Sequence, residues 1–244
     1  MGGMEVRQLG PGLWRWTAPH PDWTEAADRP DGWDRMVGCV YLEAPADARE
    51  GIVLIDPLSP PAAGGEAGRL WEALDRDVAR IGKPVAILLG NHFHQRQAQQ
   101  FLDRFRSRPG AAVWAPEQAK NLFTCEITRW FKPGDPLPGG LTAHGVEALE
   151  CPGETVFHAP ARRALFCADA FLGAGDGRLR VAPLSWAAKD AASRERYRQD
   201  FRRSLRPLGE LDIEAVIVSH GEPVLTGGAA AIREALASPG RGES

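Results

Sequence analysis

The stretch ILLGNHFHQRQAQQF places His92 and His94 directly after an apolar run and directly before a helical pattern. Farther along, the run LFCAD ends at Asp169 and the run VIVSHG reaches His220. Neutral imidazole and carboxylate are the groups that zinc, iron or manganese accept as ligands. In open α/β sheets the ligand crevice lies outside the carboxyl ends of the strands, so side chains just past those ends converge although they are distant in sequence. A single histidine at a strand end is ordinarily a hydrogen-bonded structural residue, and an aspartate before a turn is ordinarily a cap or an Asx turn. The ordered set, one potential ligand after each of several strands, is what points to a site.

The elements that must carry these groups are legible in the hydrophobic pattern. The runs GLWRWTA, GCVYLEA and GIVLIDP, each bounded by Gly, Pro or Asp, predict an antiparallel meander. EAGRLWEALDRDVARIG has Leu70, Trp71, Leu74, Val78 and Ile81 at helical spacing and stops at Gly82. A strand VAILLGN, a helix striped by Ala98, Phe101, Leu102 and Phe105, and a strand AAVWAPE make a βαβ unit with local parallel pairing. ETVFHA and RALFCADAF predict a hairpin through PARR, and EAVIVSHG is a buried-type strand before a helix, GGAAAIREALA, with Thr226 as its cap. The arginines of SRERYRQDFRRSLRPL alternate with Asp190, Glu195 and Asp200, so that segment reads as a solvated helix face.

Composition narrows the function classes. Of 244 residues, 43% are hydrophobic and 25% charged, and the net charge of −3 argues against a nucleic-acid surface. The longest apolar runs are far short of the ~20 residues a membrane helix needs, and MGGMEVRQLGPG has no apolar signal core, so a cytoplasmic location is expected. Cys39, Cys125, Cys151 and Cys167 form no Cys-x-x-Cys pair and read as reduced packing residues. With no repeat or long linker, one domain over residues 1–244 is expected, with residues 17–36 as a candidate lid rich in tryptophan and residues 239–244 as a frayed tail.

In order along nearly the whole chain, VLIDP with Asp56, LLGNHFHQRQA, KPGDPLPGG, CPGET, ALFCADAFLG and VIVSHGEP resemble the motifs of the metallo-β-lactamase-fold superfamily. The resemblance implies an α/β fold, a four-layer αββα sandwich, and carries the family's functional positions onto His92, His94, Asp169 and His220. It also exposes departures: Arg96 stands where the family has a metal-binding aspartate, Gln97 where it has a histidine, and Glu154 where the third histidine of the first metal site belongs. A two-metal centre is therefore not expected.

The resemblance implies one divalent metal, zinc first with iron or manganese as other options, held by His92, His94, Glu154, Asp169 and His220. Asp169 or Glu154 would hold or deprotonate a bound water, and Arg96 would supply fixed charge by pairing with or closely approaching Asp169. The implied activity is hydrolysis of a small ester, lactone, thioester or phosphoester. Its rival is a metal-free, non-catalytic member of the fold that binds a small molecule or a partner. His158 is a substitute ligand or a structural histidine, and His144 reads as structural. The implied partners are a small-molecule substrate or ligand, with neither nucleic acid nor membrane.

Overall fold

A computed structural model describes residues 3–28, 32–107, 109–147, 151–187 and 190–238. The tail at 239–244 and residues 29–31 of the candidate lid lie outside these. The meander forms as expected: β1 (Val6–Gly10), β2 (Leu13–Pro19), β3 (Met36–Glu43) and β4 (Ile52–Ile55) pair antiparallel in chain order. Helix α1 (Glu66–Ile81) then crosses to β5 (Val85–Leu88), and α2 (Ala98–Phe105) crosses to β6 (Ala111–Pro116), each strand adding parallel to the last. β7 (Arg129–Phe131) completes a seven-stranded sheet.

The second sheet contains β8 (Pro136–Leu137), β9 (Leu141–Gly145), β10 (Thr155–Ala159) and β11 (Ala164–Cys167), antiparallel to one another, with β14 (Ala215–Val218) added parallel to β11. RALFCADAF is not one strand. It breaks at Ala168–Ala170, and its second half becomes β12 (Phe171–Gly175), which pairs with β13 (Arg178–Val181) in a separate ribbon. The basic segment is α4 (Ala191–Arg196), a π turn at Tyr197–Phe201 and α5 (Arg202–Leu205), preceded by the short α3 (Leu184–Ala187); α6 (Gly228–Ala237) closes the described chain.

Alternation along the strands builds the layers. Val53 and Ile55 meet Phe157, Phe166 and Ile217 between the sheets, while Ile52 and Leu54 face Leu70, Leu74 and Val78 of α1 and Phe101, Leu102 and Phe105 of α2. On the far side Val156, Leu165 and Val216 pack against Tyr197, Phe201, Leu205 and Ile232. The order helix, sheet, sheet, helix is the expected four-layer sandwich. Among the described residues, no helix is long and apolar enough to cross a membrane.

Two local expectations are corrected. The N-cap of α6 is Gly227, at φ 67°, with no side-chain cap, and its N–H goes to Glu214 Oε1 at 3.0 Å; Thr226 stands one residue too early. The candidate lid is shorter than residues 17–36, because β2 runs to Pro19 and β3 starts at Met36, with Trp14 and Trp16 held in β2.

Candidate metal centre

All the chemistry-bearing groups stand where the layered sheets end. Asp56 follows β4, Asn91 to Arg96 follow β5, Asp169 follows β11, and Ser219 and His220 follow β14. Glu154 immediately precedes β10, which is antiparallel to β11, so it arrives at the same rim. Gly90 permits this convergence: a Cβ there would lie 2.7 Å from Ala168 Cβ and 3.3 Å from Asp56 Oδ2.

His94 is the centre of the arrangement, with only 3% of its surface exposed. Its Nδ1 lies 2.7 Å from Asp56 Oδ2, and its Nε2 lies 3.2 Å from Asp169 Oδ1. Asp56 is itself oriented by the Gly90 N–H, which donates to Oδ1 at 2.8 Å. His220 Nε2 reaches the same Asp169 Oδ1 at 3.2 Å. The donor atoms of His94, Asp169 and His220 all lie within 4.8 Å of one another. Two nitrogens and one oxygen are a set that could hold an ion.

His92 does not join them. It begins a 3-10 turn, Phe93–Gln95, and at ~3 residues per turn two positions apart point roughly 240° from each other, whereas on a strand they would share a face. His92 Nδ1 instead faces Cys151 Sγ at 3.8 Å, and its ring lies against Phe93. Burial lowers its pKa.

Glu154 is 1% exposed, and donors occupy both its oxygens: Asn91 Nδ2 gives to Oε2 at 2.7 Å, and the N–H groups of Asp169 and Ala170 give to Oε1, each at 2.9 Å. It is turned to the protein rather than to the His94–Asp169–His220 grouping. Burial, with Asp169 second, raises its pKa. His158 and His144 pair their rings at 5.8 Å on neighbouring strands β10 and β9, outside the grouping.

Arg96 points inward but makes no ion pair with Asp169. Its Nη2 donates to Ser219 Oγ at 2.6 Å and its Nη1 to the Asp56 carbonyl at 3.0 Å, and Nη2 stands 3.4 Å from His94 Nε2. Both Arg96 and Asp169 instead touch His94 Nε2, at 3.4 and 3.2 Å. The backbone of Arg96 has φ 35° and ψ −109°, a conformation that costs about 1–3 kcal/mol and persists only where the surroundings hold it.

The charged groups of the rim shift one another. Burial and then Arg96 push the His94 imidazole down, but Asp169 and Asp56 outweigh them and hold its pKa up at about 9. Burial pushes Asp169 up, yet His94 and His220 bring it well below the ordinary aspartate value. His220 is lowered, chiefly by burial. Two tryptophans touch the grouping: Trp33, from the tryptophan segment, and Trp186, from α3, meet the His220 ring edge-on at 5.4 and 5.7 Å, and His20 meets Trp33 at 4.9 Å. Arg180 Nη2 donates to the Gly32 carbonyl at 3.0 Å and fixes the segment.

With 97% of this chain and 100% of the other superposed, a metallo-β-lactamase from Pontibacter korlensis matches at a TM-score of 0.65 and 14% identity. The fold is that of the metallo-β-lactamases. A metallo-β-lactamase family protein from Thermus thermophilus shares it at TM-score 0.60 and 18% identity over 94% of this chain and 80% of that one. A β-lactamase domain protein from Burkholderia ambifaria does so at 0.61 and 16%, over 96% and 76%. No protein-family model and no curated protein matches the sequence. On this metallo-β-lactamase fold the rim carries a His–Asp–His grouping with Arg96, Asn91 and Glu154 beside it. Sequence reasoning missed Asn91, Ser219 and Trp186 because nothing in their types marks them; Asn91 had only its place just beyond a strand as a signal.

Proposed function

We propose that this protein is a single-metal hydrolase acting on a small ester, lactone, thioester or phosphoester, with the ion held by His94 Nε2, Asp169 Oδ1 and His220 Nε2. The observation that carries this reading is the convergence of those three donors while Asp56 takes the far nitrogen of His94, the carboxylate–histidine arrangement that orients an imidazole toward a metal. Three protein donors with an open position make a catalytic rather than a structural zinc set, and zinc is the first choice, with iron or manganese compatible. Bound there, the ion would polarise a carbonyl or phosphoryl oxygen and acidify a water.

The chain's own groups divide the remaining work. Asp169 would hold the ion through Oδ1, while its Oδ2 accepts from Asn91 Nδ2 at 2.8 Å and keeps the carboxylate in that orientation. Arg96 keeps one fixed positive charge beside the reacting centre, where negative charge builds on the substrate. Trp33 and Trp186 narrow access next to His220 and offer apolar contact to the substrate.

A second reading rests on Arg96. With His94 protonated, the cations Arg96 and His94 balance Asp56 and Asp169, and a guanidinium 3.4 Å from His94 Nε2 opposes a dication. That reading makes the protein a metal-free binder of a small molecule or partner.

Elemental analysis of freshly purified protein, melting with and without a chelator, and assay of an ester, lactone, thioester and phosphoester panel decide between them. Near-stoichiometric metal that is lost in His94→Ala, with a chelator-sensitive melt, supports the hydrolase. Metal-free protein whose melt ignores chelator, with no turnover, sinks it in favour of the binder.

A further inference from the structure

Asn91 is completely buried, and its side chain makes three bonds, all within the rim. Nδ2 donates to Glu154 Oε2 at 2.7 Å and to Asp169 Oδ2 at 2.8 Å, while Oδ1 accepts from the His94 backbone N–H at 3.0 Å. Glu154 closes the ring through Oε1, which accepts from the backbone N–H groups of Asp169 and Ala170, each at 2.9 Å. The ring thereby ties together the turn after β5, the approach to β10 and the turn after β11, drawing on both sheets of the sandwich.

We infer that the Asn91–Glu154 pair is a hydrogen-bonded stand-in for a metal ion, fixing Asp169 so that Oδ2 turns into the protein and Oδ1 faces His94 and His220. One amide nitrogen has two N–H bonds, and here each goes to a different carboxylate, which is the bridging task an ion between those carboxylates would perform. Any ion bound between Glu154 and Asp169 would have to displace that NH2 group. His92, which could have supplied a further donor, faces Cys151. Glu154 is therefore a positioning residue acting through Asp169, and the chain takes at most one ion. The part concerning the ion rests on the proposed function; the ring does not.

The test uses the full chain and cobalt(II), followed by visible absorption, alongside amide hydrogen exchange at residues 169 and 170 in metal-free protein. Melting temperature controls for loss of fold. The wild type is expected to bind one cobalt per chain. Asn91→Ala and Glu154→Ala should bind it at least tenfold more weakly, within the 10–100-fold range for loss of a group that orients a ligand, and with a changed absorption envelope. Exchange at 169 and 170 should be at least tenfold faster in Glu154→Ala.

Glu154→His separates positioning from ligation. Imidazole cannot accept the three donors that Glu154 satisfies, so it should bind no better than Glu154→Ala. Recovery of wild-type affinity, or two cobalt ions in either the wild type or this variant, overturns the inference. So does cobalt affinity within twofold of wild type and unchanged exchange in Glu154→Ala. Should that variant not fold, Glu154→Gln keeps an acceptor for the two backbone N–H groups but sets an amide against Asn91; it should retain exchange protection and still lose cobalt affinity, and wild-type affinity there overturns the inference. A wild type that binds no cobalt removes the metal reading alone, and the exchange result then decides the ring: faster exchange sustains it, and unchanged exchange overturns it.

Discussion

Asp56 Oδ2 and His94 Nδ1 meet at 2.7 Å in a buried contact between the turns that follow two parallel strands, β4 and β5. This bond sets the ring plane of His94 and leaves Nε2 as the atom that faces Asp169 and His220. It makes Asp56, which holds none of the converging donors, the residue on which their geometry most depends.

Replacing Asp56 should therefore cost more than a surface charge would. Asp56→Asn sets an amide N–H against either the Gly90 N–H or His94 Nδ1, since the carboxylate now serves both. Breaking a buried pair of this kind costs about 3–5 kcal/mol. Urea unfolding at pH 6 should show the loss, and a midpoint equal to wild type would remove Asp56 from this role.

Stability of the metal-free protein should fall as pH rises above neutrality. His94 is held at about 9 against an ordinary 6.5, so its stabilisation is complete below pH 6.5 and disappears as pH climbs through 9. The raised pKa of Glu154 acts in the same direction, because ionising it in a buried site is unfavourable. Asp169, depressed below 3.8, adds stability present above that value and lost as pH falls. Unfolding free energy should peak near roughly pH 4 to 5 and then fall up to pH 10, His94 alone contributing roughly 3 kcal/mol of the drop and Glu154 adding to it, a slope that Asp56→Asn should flatten. A flat profile from pH 6 to 10 in the wild type would contradict the charged state assigned to His94.

Arg96→Met should raise zinc affinity at least tenfold. A guanidinium a few ångströms from a dication is worth several kcal/mol, roughly 3–7 at an effective dielectric of about 20, and methionine removes it while keeping an apolar stem. The same change leaves Ser219 Oγ and the Asp56 carbonyl without their donor, so thermal stability should drop as affinity rises. Isothermal titration beside a melt reads both; weaker zinc binding would mean that Arg96 organises the rim more than it repels an ion.

Gly90→Ala should damage the rim without disturbing the outer helices. Its Cβ would meet Ala168 Cβ at 2.7 Å, too close for either backbone to yield freely, and would press on Asp56 Oδ2. Overpacking of this sort costs about 1–3 kcal/mol. Unfolding and hydrogen exchange check it, with faster exchange expected around residues 56, 90 and 168 and little change within α1; a uniform loss over the chain would speak against a local clash.

The scaffold and the kinds of groups it carries are legible in the chain alone. The meander, the βαβ unit, the amphipathic α1 ending at Gly82 and the placing of His94, Asp169 and His220 after strands all follow from periodicities of two and 3.6 and from turn chemistry, which are local properties. Which groups meet depends on how the layers close on one another. His92 and His94 look equivalent in the sequence, yet a single tight turn sends one toward Cys151 and the other into the grouping. Glu154 looks like a ligand until three donors from the turns after β5 and β11 occupy it, and Asn91 looks like nothing until two carboxylates share its amide. The physical reason is that hydrogen bonds between buried groups join residues 15 to 78 positions apart and are satisfied as one network, so no partner in it can be assigned from its own neighbourhood in the chain.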